Sequence, residues 1–323
     1  MEEIKKIADY IFENCINLES EDKILIVTDT NKKNIGQEFL KSALEKNKKS
    51  KIIIFEPALI DGEEPPEEVF DEIIKSTLIF ELTTCSITHT SGNKIAQSKG
   101  AKIISIPAVD EELLSYIKTD YNLIATLCKQ IQQILEKTSK ILIKTDAGTN
   151  LNLEITNQKV ISMNGFCNNG EIINLPDGET LVSPINASGI LVIDGSMPPD
   201  TKSKWGIIGK IKNPIKVFIE NNKISWIEGL EEAEIFKNIL NEYDDSAKIV
   251  AEFAIGTNPC AKIIGNITVD EKAIGTAHIA FGNSTNIGGK NNSPIHLDCV
   301  IKNPTIYADN QLIMKEGKLI KTY

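Results

Sequence analysis

The sequence has few of the features that mark disulfide frameworks, nucleotide sites or membrane spans. Its six cysteines are widely spaced and form no CxxC pair, so buried thiols are a simpler interpretation than a disulfide framework or a zinc knuckle. Neither GxGxxG nor GxxxxGK followed by Ser or Thr occurs, so no nucleotide fingerprint is present. No apolar run approaches the roughly 20 residues that cross a bilayer, and the start, MEEIKKIADYIFENC, predicts an amphipathic helix rather than a signal peptide. We therefore expect a cytoplasmic protein without a membrane partner.

Basic residues are outnumbered, which bears on possible partners. The chain has 35 basic and 45 acidic residues and a net charge of -10, and its lysines are scattered among acids. Nucleic-acid binding depends on clustered Lys and Arg, so no nucleic-acid partner is expected. A length of 323 residues exceeds the roughly 250–300 at which single cores usually divide, which predicts two domains.

Residues 1–138 alternate apolar, β-branched runs with helical periodicity. Nearly continuous apolar runs at 23–29, 51–57, 77–84 and 101–107 are typical of parallel strands that are covered on both faces. Helical patterns follow at 34–46, 66–75, 91–99 and 120–138. This alternation predicts a doubly wound, parallel-sheet α/β domain, and the fold alone indicates no cofactor.

Residues 139–323 have a different pattern. Short strand-like segments are separated by Gly, Asn and Pro, and one convincing helix is predicted at 231–242. These segments predict an α+β, mainly antiparallel, open-barrel-like domain.

Histidine is scarce, and its placement indicates a metal site. Only His89, His278 and His296 occur, and the last two lie 18 residues apart in a stretch rich in Gly and Asn. His296 and Asp298 are two residues apart on a strand-like run, so both side chains leave the same face. An imidazole and a carboxylate suit Zn, Mn, Fe or Co. The alternative is a core histidine that its neighbour satisfies by a hydrogen bond.

Three further polar residues stand in apolar surroundings. Glu252 lies in VAEFAIGTN, His278 lies in GTAHIAFG, and Glu179 follows a Pro-Asp-Gly turn. Buried charges are usually paired or bound to metal, although each residue alone could be solvent-facing or satisfied in the core. Together with His296 and Asp298 they predict a divalent-metal site.

Several segments, in this order, resemble the aminopeptidase T and aminopeptidase S family of two-metal peptidases. They are AGTNLNL (147–153), NLPDGE (174–179), AEFAIGTN (251–258), GTAHIAFG (275–282) and HLD (296–298), with SITHT (86–90) in the N-terminal half. The resemblance implies a homodimeric metallo-aminopeptidase that removes N-terminal residues from small peptides. It implies two Zn, Co or Mn ions per chain. The ligands that it implies are Glu179, Glu252, His278, His296 and Asp298.

Such a site would use a metal-activated water as nucleophile and a carboxylate as proton shuttle. Glu179 and Glu271 are the candidate catalytic carboxylates, although VDEK around Glu271 is also typical of a hairpin. His89 could orient substrate or cap the helix predicted after it. The chain departs from the family at Thr285, where a tyrosine ligand is expected, and is shorter between His278 and His296.

A second resemblance is to the mononuclear iron enzyme 2,5-dihydroxypyridine dioxygenase. It extends through NIGGKNNSPIHLDCVIKNPTIY (286–307) and implies an Fe(II) ring-cleaving enzyme with two histidine ligands and one aspartate. His296 and Asp298 match two of those positions, Glu252 stands at the third, and His89 matches a histidine near the substrate. This Glu-for-His difference, with Glu179 and His278, favours the peptidase interpretation. A third possibility is a non-catalytic binding protein with a degenerate site.

Overall fold

The computed structural model describes residues 2–198 and 207–320, which form two compact units. The first unit comprises Met1–Tyr121 and Gly165–Asp177, and the second comprises Asn122–Asn164 and Gly178–Tyr323. This division differs from the consecutive domains 1–138 and 139–323 that the sequence predicts. The chain returns to the first unit at 165–177, where it adds one strand to the first sheet.

The first unit has a five-stranded parallel sheet, as the alternating pattern predicts. Its strand order is β2-β1-β3-β4-β8, and every pair is parallel. The helices are α1 (Glu2–Asn14), α2 (Lys33–Lys46), α3 (Glu67–Ile73), α4 (Ser91–Ser98) and α5 (Glu111–Ser115), and the strands are β1 (Ile24–Asp29), β2 (Lys51–Phe55), β3 (Leu78–Leu82), β4 (Lys102–Ser105) and β8 (Ile172–Asn174). The strands β1, β3 and β4 are buried at every residue, whereas the edge strand β2 is largely exposed. Three of the four continuous apolar runs therefore form interior strands that are covered on both faces, whereas the run at 51–57 forms the partly exposed edge strand β2.

A row of polar side chains crosses the carboxyl end of this parallel sheet. Glu81, Ser105 and Asn174 are neighbours in register on β3, β4 and β8, so their side chains leave the same face. Asn93 of α4 donates a hydrogen bond to Glu81, and Glu81 is fully buried. Burial raises the pKa of Glu81 to about 7, against the opposing effect of its hydrogen bonds with Asn93 and Ser105.

The second unit contains two antiparallel sheets, which confirms the mainly antiparallel prediction. One has eight strands in the order β12-β11-β10-β6-β5-β16-β17-β18, and the other has five in the order β15-β14-β13-β9-β7. The strands are β5 (Lys140–Lys144), β6 (Asn150–Glu154), β7 (Val160–Met163), β9 (Glu179–Val182), β10 (Asn186–Ile193), β11 (Ile215–Glu220), β12 (Lys223–Glu228), β13 (Val250–Gly256), β14 (Thr276–Gly282), β15 (His296–Lys302), β16 (Thr305–Ala308), β17 (Gln311–Lys315) and β18 (Lys318–Leu319). The helices are α6 (Tyr121–Leu135), α7 (Glu231–Asn241) and α8 (Ile267–Asp270), with 3-10 turns at Asp245–Lys248 and Thr285–Ile287.

The antiparallel five-stranded sheet of the second unit has one apolar face and one polar face. Phe253, Ile255, Ile279 and Phe281 alternate along β13 and β14 and join the large apolar core of the second unit. Phe281 is fully buried, and its ring centroid lies 6.1 Å from that of Phe236. Because side chains alternate along a strand, the residues between these positions face the opposite side. The apolar core thus fixes which residues of β13 and β14 lie on the polar face.

None of the helices within 2–198 and 207–320 is both long enough and apolar enough to span a bilayer.

Candidate metal centre

Four neighbouring strands place the five predicted ligands on the polar face of the antiparallel five-stranded sheet. Glu252 of β13 is opposite Ala280 of β14, and Ala280 is opposite Asp298 of β15. Residues directly opposite each other in antiparallel strands share a face. His278 and His296 lie two residues from Ala280 and Asp298 on the same strands, so they share it as well.

Small residues lie between these polar groups. His278 is opposite Ala254, His296 is opposite Gly282, and Glu179 of β9 is opposite Gly256. Short side chains at these positions and at Ala280 leave room above the sheet for long side chains from several strands to meet. The register therefore brings together residues from four separate parts of the sequence.

Distances between the polar atoms are short. His278 Nε2 lies 3.2 Å from Glu252 Oε1, 3.6 Å from Glu179 Oε2 and 3.7 Å from Asp298 Oδ1. His296 Nε2 lies 3.2 Å from Asp298 Oδ1 and 3.5 Å from Glu252 Oε2. Glu179, Glu252 and His278 are buried, whereas the side chain of His296 is 34% exposed. The cluster is therefore accessible to solvent on the side where His296 lies.

A backbone contact orients His296. Its Nδ1 lies 2.7 Å from the carbonyl oxygen of Asn283. Because a carbonyl can only accept, Nδ1 carries the proton in this contact, and Nε2 is directed at the carboxylates. This is the arrangement in which a metal-ligating histidine is usually held.

The carboxylates of the cluster stabilise positive charge on both histidines. Burial lowers the pKa of His278, but the hydrogen bond with Glu252 and the charges of Glu179 and Asp298 outweigh it and raise the pKa to about 9. At His296 the charge of Asp298 likewise outweighs burial and raises the pKa to about 10. Burial raises the pKa of Asp298, but the charge of His296 and their hydrogen bond hold that pKa well below its usual range. A site with these properties attracts cations.

Sequence reasoning missed the lysine in this cluster. Lys272 Nζ lies 2.5 Å from Glu179 Oε1 and 2.8 Å from Glu271 Oε1, and its side chain is only 4% exposed. The segment VDEK is not a hairpin. The helix α8 ends at Asp270, and the side chains of the next two residues, Glu271 and Lys272, lie in the cluster. Burial is the main reason that the pKa of Glu271 is raised to about 8, against the lowering effect of Lys272.

The donor set fits a divalent metal ion. Three overlapping groups, each with ligand atoms within 4.8 Å of one another, could hold one: Glu179 with Glu252 and His278, Glu252 with His296 and Asp298, and Glu271 with His278 and Asp298. Glu179 Oε2 and His278 Nδ1 are buried and have no hydrogen-bond partner among residues 2–198 and 207–320. Buried carboxylate oxygens are normally hydrogen-bonded or bound to a cation, so the Oε2 atom is consistent with a cation in this cluster.

Two residues that the sequence singled out are not members of these groups. His89 is exposed in the segment between β3 and α4 of the first unit. Thr285 begins a 3-10 turn, and its hydroxyl donates to Asn283 Oδ1 at 2.8 Å. Thr285 is therefore engaged with its own loop, whereas the catalytic role of His89 stays a prediction.

A family model and a relative that match this sequence have the same name. The model of the NicX family, 2,5-dihydroxypyridine 5,6-dioxygenase, matches residues 11–321. A 2,5-dihydroxypyridine 5,6-dioxygenase of Pseudomonas putida is 21% identical over 258 residues, which cover 73% of this chain and 69% of that protein.

Two solved structures share the fold. The structure of the 2,5-dihydroxypyridine dioxygenase from Pseudomonas putida KT2440 matches with a TM-score of 0.81 and 16% identity, over 99% of this chain and 97% of that one. Wild-type AmpT from Thermus thermophilus matches with a TM-score of 0.73 and 14% identity, over 99% of both chains. The fold that the aminopeptidase resemblance implies is thus confirmed.

The activity that this resemblance implies is wrong. The matching family model and the Pseudomonas relative both name a dioxygenase, an oxidoreductase, so the assignment as a metallo-aminopeptidase is corrected. The physical reason is that the donor set of Glu252, Glu179 and His278 does not distinguish hydrolysis from oxygen chemistry. The family match spans nearly the whole sequence, and the chain belongs to the 2,5-dihydroxypyridine 5,6-dioxygenase family.

Proposed function

We propose that this protein is a metal-dependent ring-cleaving dioxygenase that acts on a hydroxylated pyridine, with 2,5-dihydroxypyridine as its first candidate substrate. The observation that carries the proposal is the convergence of His278, His296, Glu252 and Asp298 on one face of a sheet in a chain of this family. Two imidazoles beside a carboxylate are the donor set of many non-haem iron oxygenases.

The second imidazole of this set comes from His278. Glu252 occupies the position where the resemblance to the dioxygenases implies histidine. His278 Nε2 and His296 Nε2 lie 3.7 Å and 3.2 Å from the same atom, Asp298 Oδ1. We therefore assign His278, His296 and Asp298 as metal ligands, with Glu252 as an additional carboxylate ligand. A ferrous ion bound there would supply the one-electron chemistry that makes dioxygen reactive toward an aromatic ring.

Residues beside the ligands control charge and protons. With a pKa of about 8, the carboxyl group of Glu271 retains its proton over most of the neutral range. Its side chain is 15% exposed, so a bound substrate could approach it. Glu271 is our candidate for the group that donates a proton to an oxygen atom of the opening ring.

Oxygen consumption by reconstituted protein tests the proposal. Metal-free protein is loaded anaerobically with Fe(II), mixed with 2,5-dihydroxypyridine and exposed to oxygen. We expect one dioxygen consumed per substrate, loss of the ring's near-ultraviolet absorption, and a product heavier than the substrate by two oxygen atoms. With isotopically labelled dioxygen both added atoms carry the label.

Two controls separate enzyme chemistry from spontaneous oxidation. His296→Ala is expected to lose Fe(II) and activity together, whereas the surface variant Lys6→Ala keeps both. A panel of mono- and dihydroxylated pyridines distinguishes a different substrate of the same class from no activity. If Fe(II) binds and no member of the panel is consumed, the oxygenase proposal is rejected. Absence of Fe(II) binding would indicate the non-catalytic alternative. The homodimer and cytoplasmic location stay predictions.

A further inference from the structure

Lys272 is the buried cation of the metal centre. Its side chain is 4% exposed, and its ammonium contacts Glu179 at 2.5 Å and Glu271 at 2.8 Å. A buried ammonium is stable only when carboxylates or other acceptors compensate it, and these two contacts do so. One oxygen of each carboxylate is thereby committed to an ammonium that is part of the chain.

The backbone holds Lys272 in this position. Its amide donates to Val269 O at 3.2 Å, and its carbonyl accepts from the amide of Asn258 at 2.8 Å. A Cβ at Gly256 of β13 would lie 2.2 Å from Ala273 O, so the 272–273 segment packs directly against that strand. Hydrogen bonds at both the amide and the carbonyl of Lys272 therefore fix the backbone that carries the ammonium.

Charge decides how many metal ions this site can hold. With both histidines neutral, as metal-bound imidazoles are, the carboxylates of Glu179, Glu252, Glu271 and Asp298 carry at most four negative charges, and Lys272 offsets one of them. One divalent ion then leaves at most one negative charge uncompensated. Two divalent ions would leave at least one excess positive charge in a buried site, which is strongly disfavoured.

We propose that the ammonium of Lys272 replaces a second metal ion, so that the site binds a single divalent cation. Glu179 and Glu271 pair with the lysine, and the metal is held where His278, His296, Glu252 and Asp298 meet. This proposal differs from the two ions per chain that the peptidase resemblance implies, and it leaves Glu179 out of the ligand set. It depends on metal binding at this cluster and not on the reaction that follows.

Counting Mn(II) ions per chain tests this. Metal-free protein is titrated with Mn(II), and the free ion is followed by electron paramagnetic resonance without substrate. We expect wild type to bind one ion tightly. Lys272→Met is expected to bind a second, at least about tenfold tighter than any second ion in wild type, because four carboxylates then balance two divalent ions. The magnetic coupling of adjacent Mn(II) ions would show that the second ion is in the same site.

Lys102→Met is the matched control. Lys102 is also buried and lies 2.7 Å from Asp22 Oδ2, but in the first unit. Its replacement is expected to leave the count at one. A wild-type count of two, or a Lys272→Met count that stays at one in folded protein, would overturn the proposal.

Glu179→Gln gives a test that does not require Lys272→Met to fold. If Glu179 pairs with the lysine and does not bind the metal, this variant keeps its single Mn(II) with an affinity at most about 10–100-fold weaker than wild type, the range of a residue outside the ligand set. Glu252→Gln and Asp298→Asn should weaken Mn(II) much further. Equal losses in all three variants would make Glu179 a ligand and contradict the proposal. Failure of the oxygenase assay leaves these metal counts unaffected.

Discussion

Replacement of Glu81 by glutamine should change how the stability of the protein depends on pH. Glu81 is fully buried in the polar row of the parallel sheet, and its pKa is raised from 4.5 to about 7. Below pH 4.5 the carboxyl is protonated in both folded and unfolded chains, and its burial then carries no ionisation cost. Between pH 4.5 and 7 the unfolded chain releases the proton of this carboxyl group, whereas the folded chain retains it. Above pH 7 the folded chain must also release the proton and then holds a buried carboxylate. Stability is therefore lost with rising pH.

The magnitude follows from the size of the pKa shift. A difference of about 2.5 units at about 1.4 kcal/mol per unit is a loss of about 3 kcal/mol between pH 4.5 and pH 8. Glu81→Gln is neutral and of the same shape. Asn93 Oδ1 is buried and has no hydrogen-bond partner in the described part of the chain, so this oxygen could accept a hydrogen bond from the new amide. Urea unfolding followed by circular dichroism at several pH values gives the free energy of unfolding of each protein.

The difference between the two pH profiles isolates Glu81, because other titrating groups are common to both proteins. We expect wild type to lose about 3 kcal/mol more than Glu81→Gln between pH 4.5 and pH 8. Glu111→Gln, an exposed residue in the first turn of α5, serves as control and should follow wild type. Profiles of wild type and Glu81→Gln that stay parallel within about 0.5 kcal/mol would refute the reasoning.

Three further predictions concern the second unit. Ala280→Val adds two methyl groups between Glu252 and Asp298; overpacking should cost about 1–3 kcal/mol, and calorimetry with Mn(II) should detect weaker binding. Phe281→Ala, on the opposite face, should cost about 3–5 kcal/mol in urea unfolding while the folded protein keeps its Mn(II) affinity, and a loss of affinity would contradict the division between the two faces. Removal of metal by a chelator should lower the melting temperature, and Mn(II) at about 100 times its Kd should restore about 2.7 kcal/mol; no shift would argue against a site formed in the folded state.

Local patterns in the sequence were sufficient for much of the fold and for part of the site. The continuous apolar runs predicted β1, β3 and β4, because strands buried on both faces need apolar residues at every position. The two-residue spacing of His296 and Asp298 predicted that they share a face, and β15 places them so. These inferences depend on periodicity within one element.

The parts of the fold and site that the sequence did not predict depend on contacts between residues far apart in the chain. The three-residue strand β8 joins the first sheet after a detour of the chain through the second unit, and no pattern within so short a segment indicates its partner. Lys272 is one of 35 basic residues, so its burial beside Glu179 had no compositional signal. The one local indication is the pair of adjacent carboxylates, Asp270 at the end of the short helix α8 and Glu271 after it, directly before Lys272.

The alternation of β13 and β14 also has a consequence for folding. A slip of one residue in the pairing of either strand would turn Glu252 or His278 into the apolar core and expose phenylalanine or isoleucine in exchange. Each buried polar group without a partner costs on the order of several kcal/mol, so misregistered sheets are strongly disfavoured even before metal binds. The side chains that we assign to metal binding thus also specify the strand register during folding, and their replacement should lower the refolding yield as well as the metal affinity.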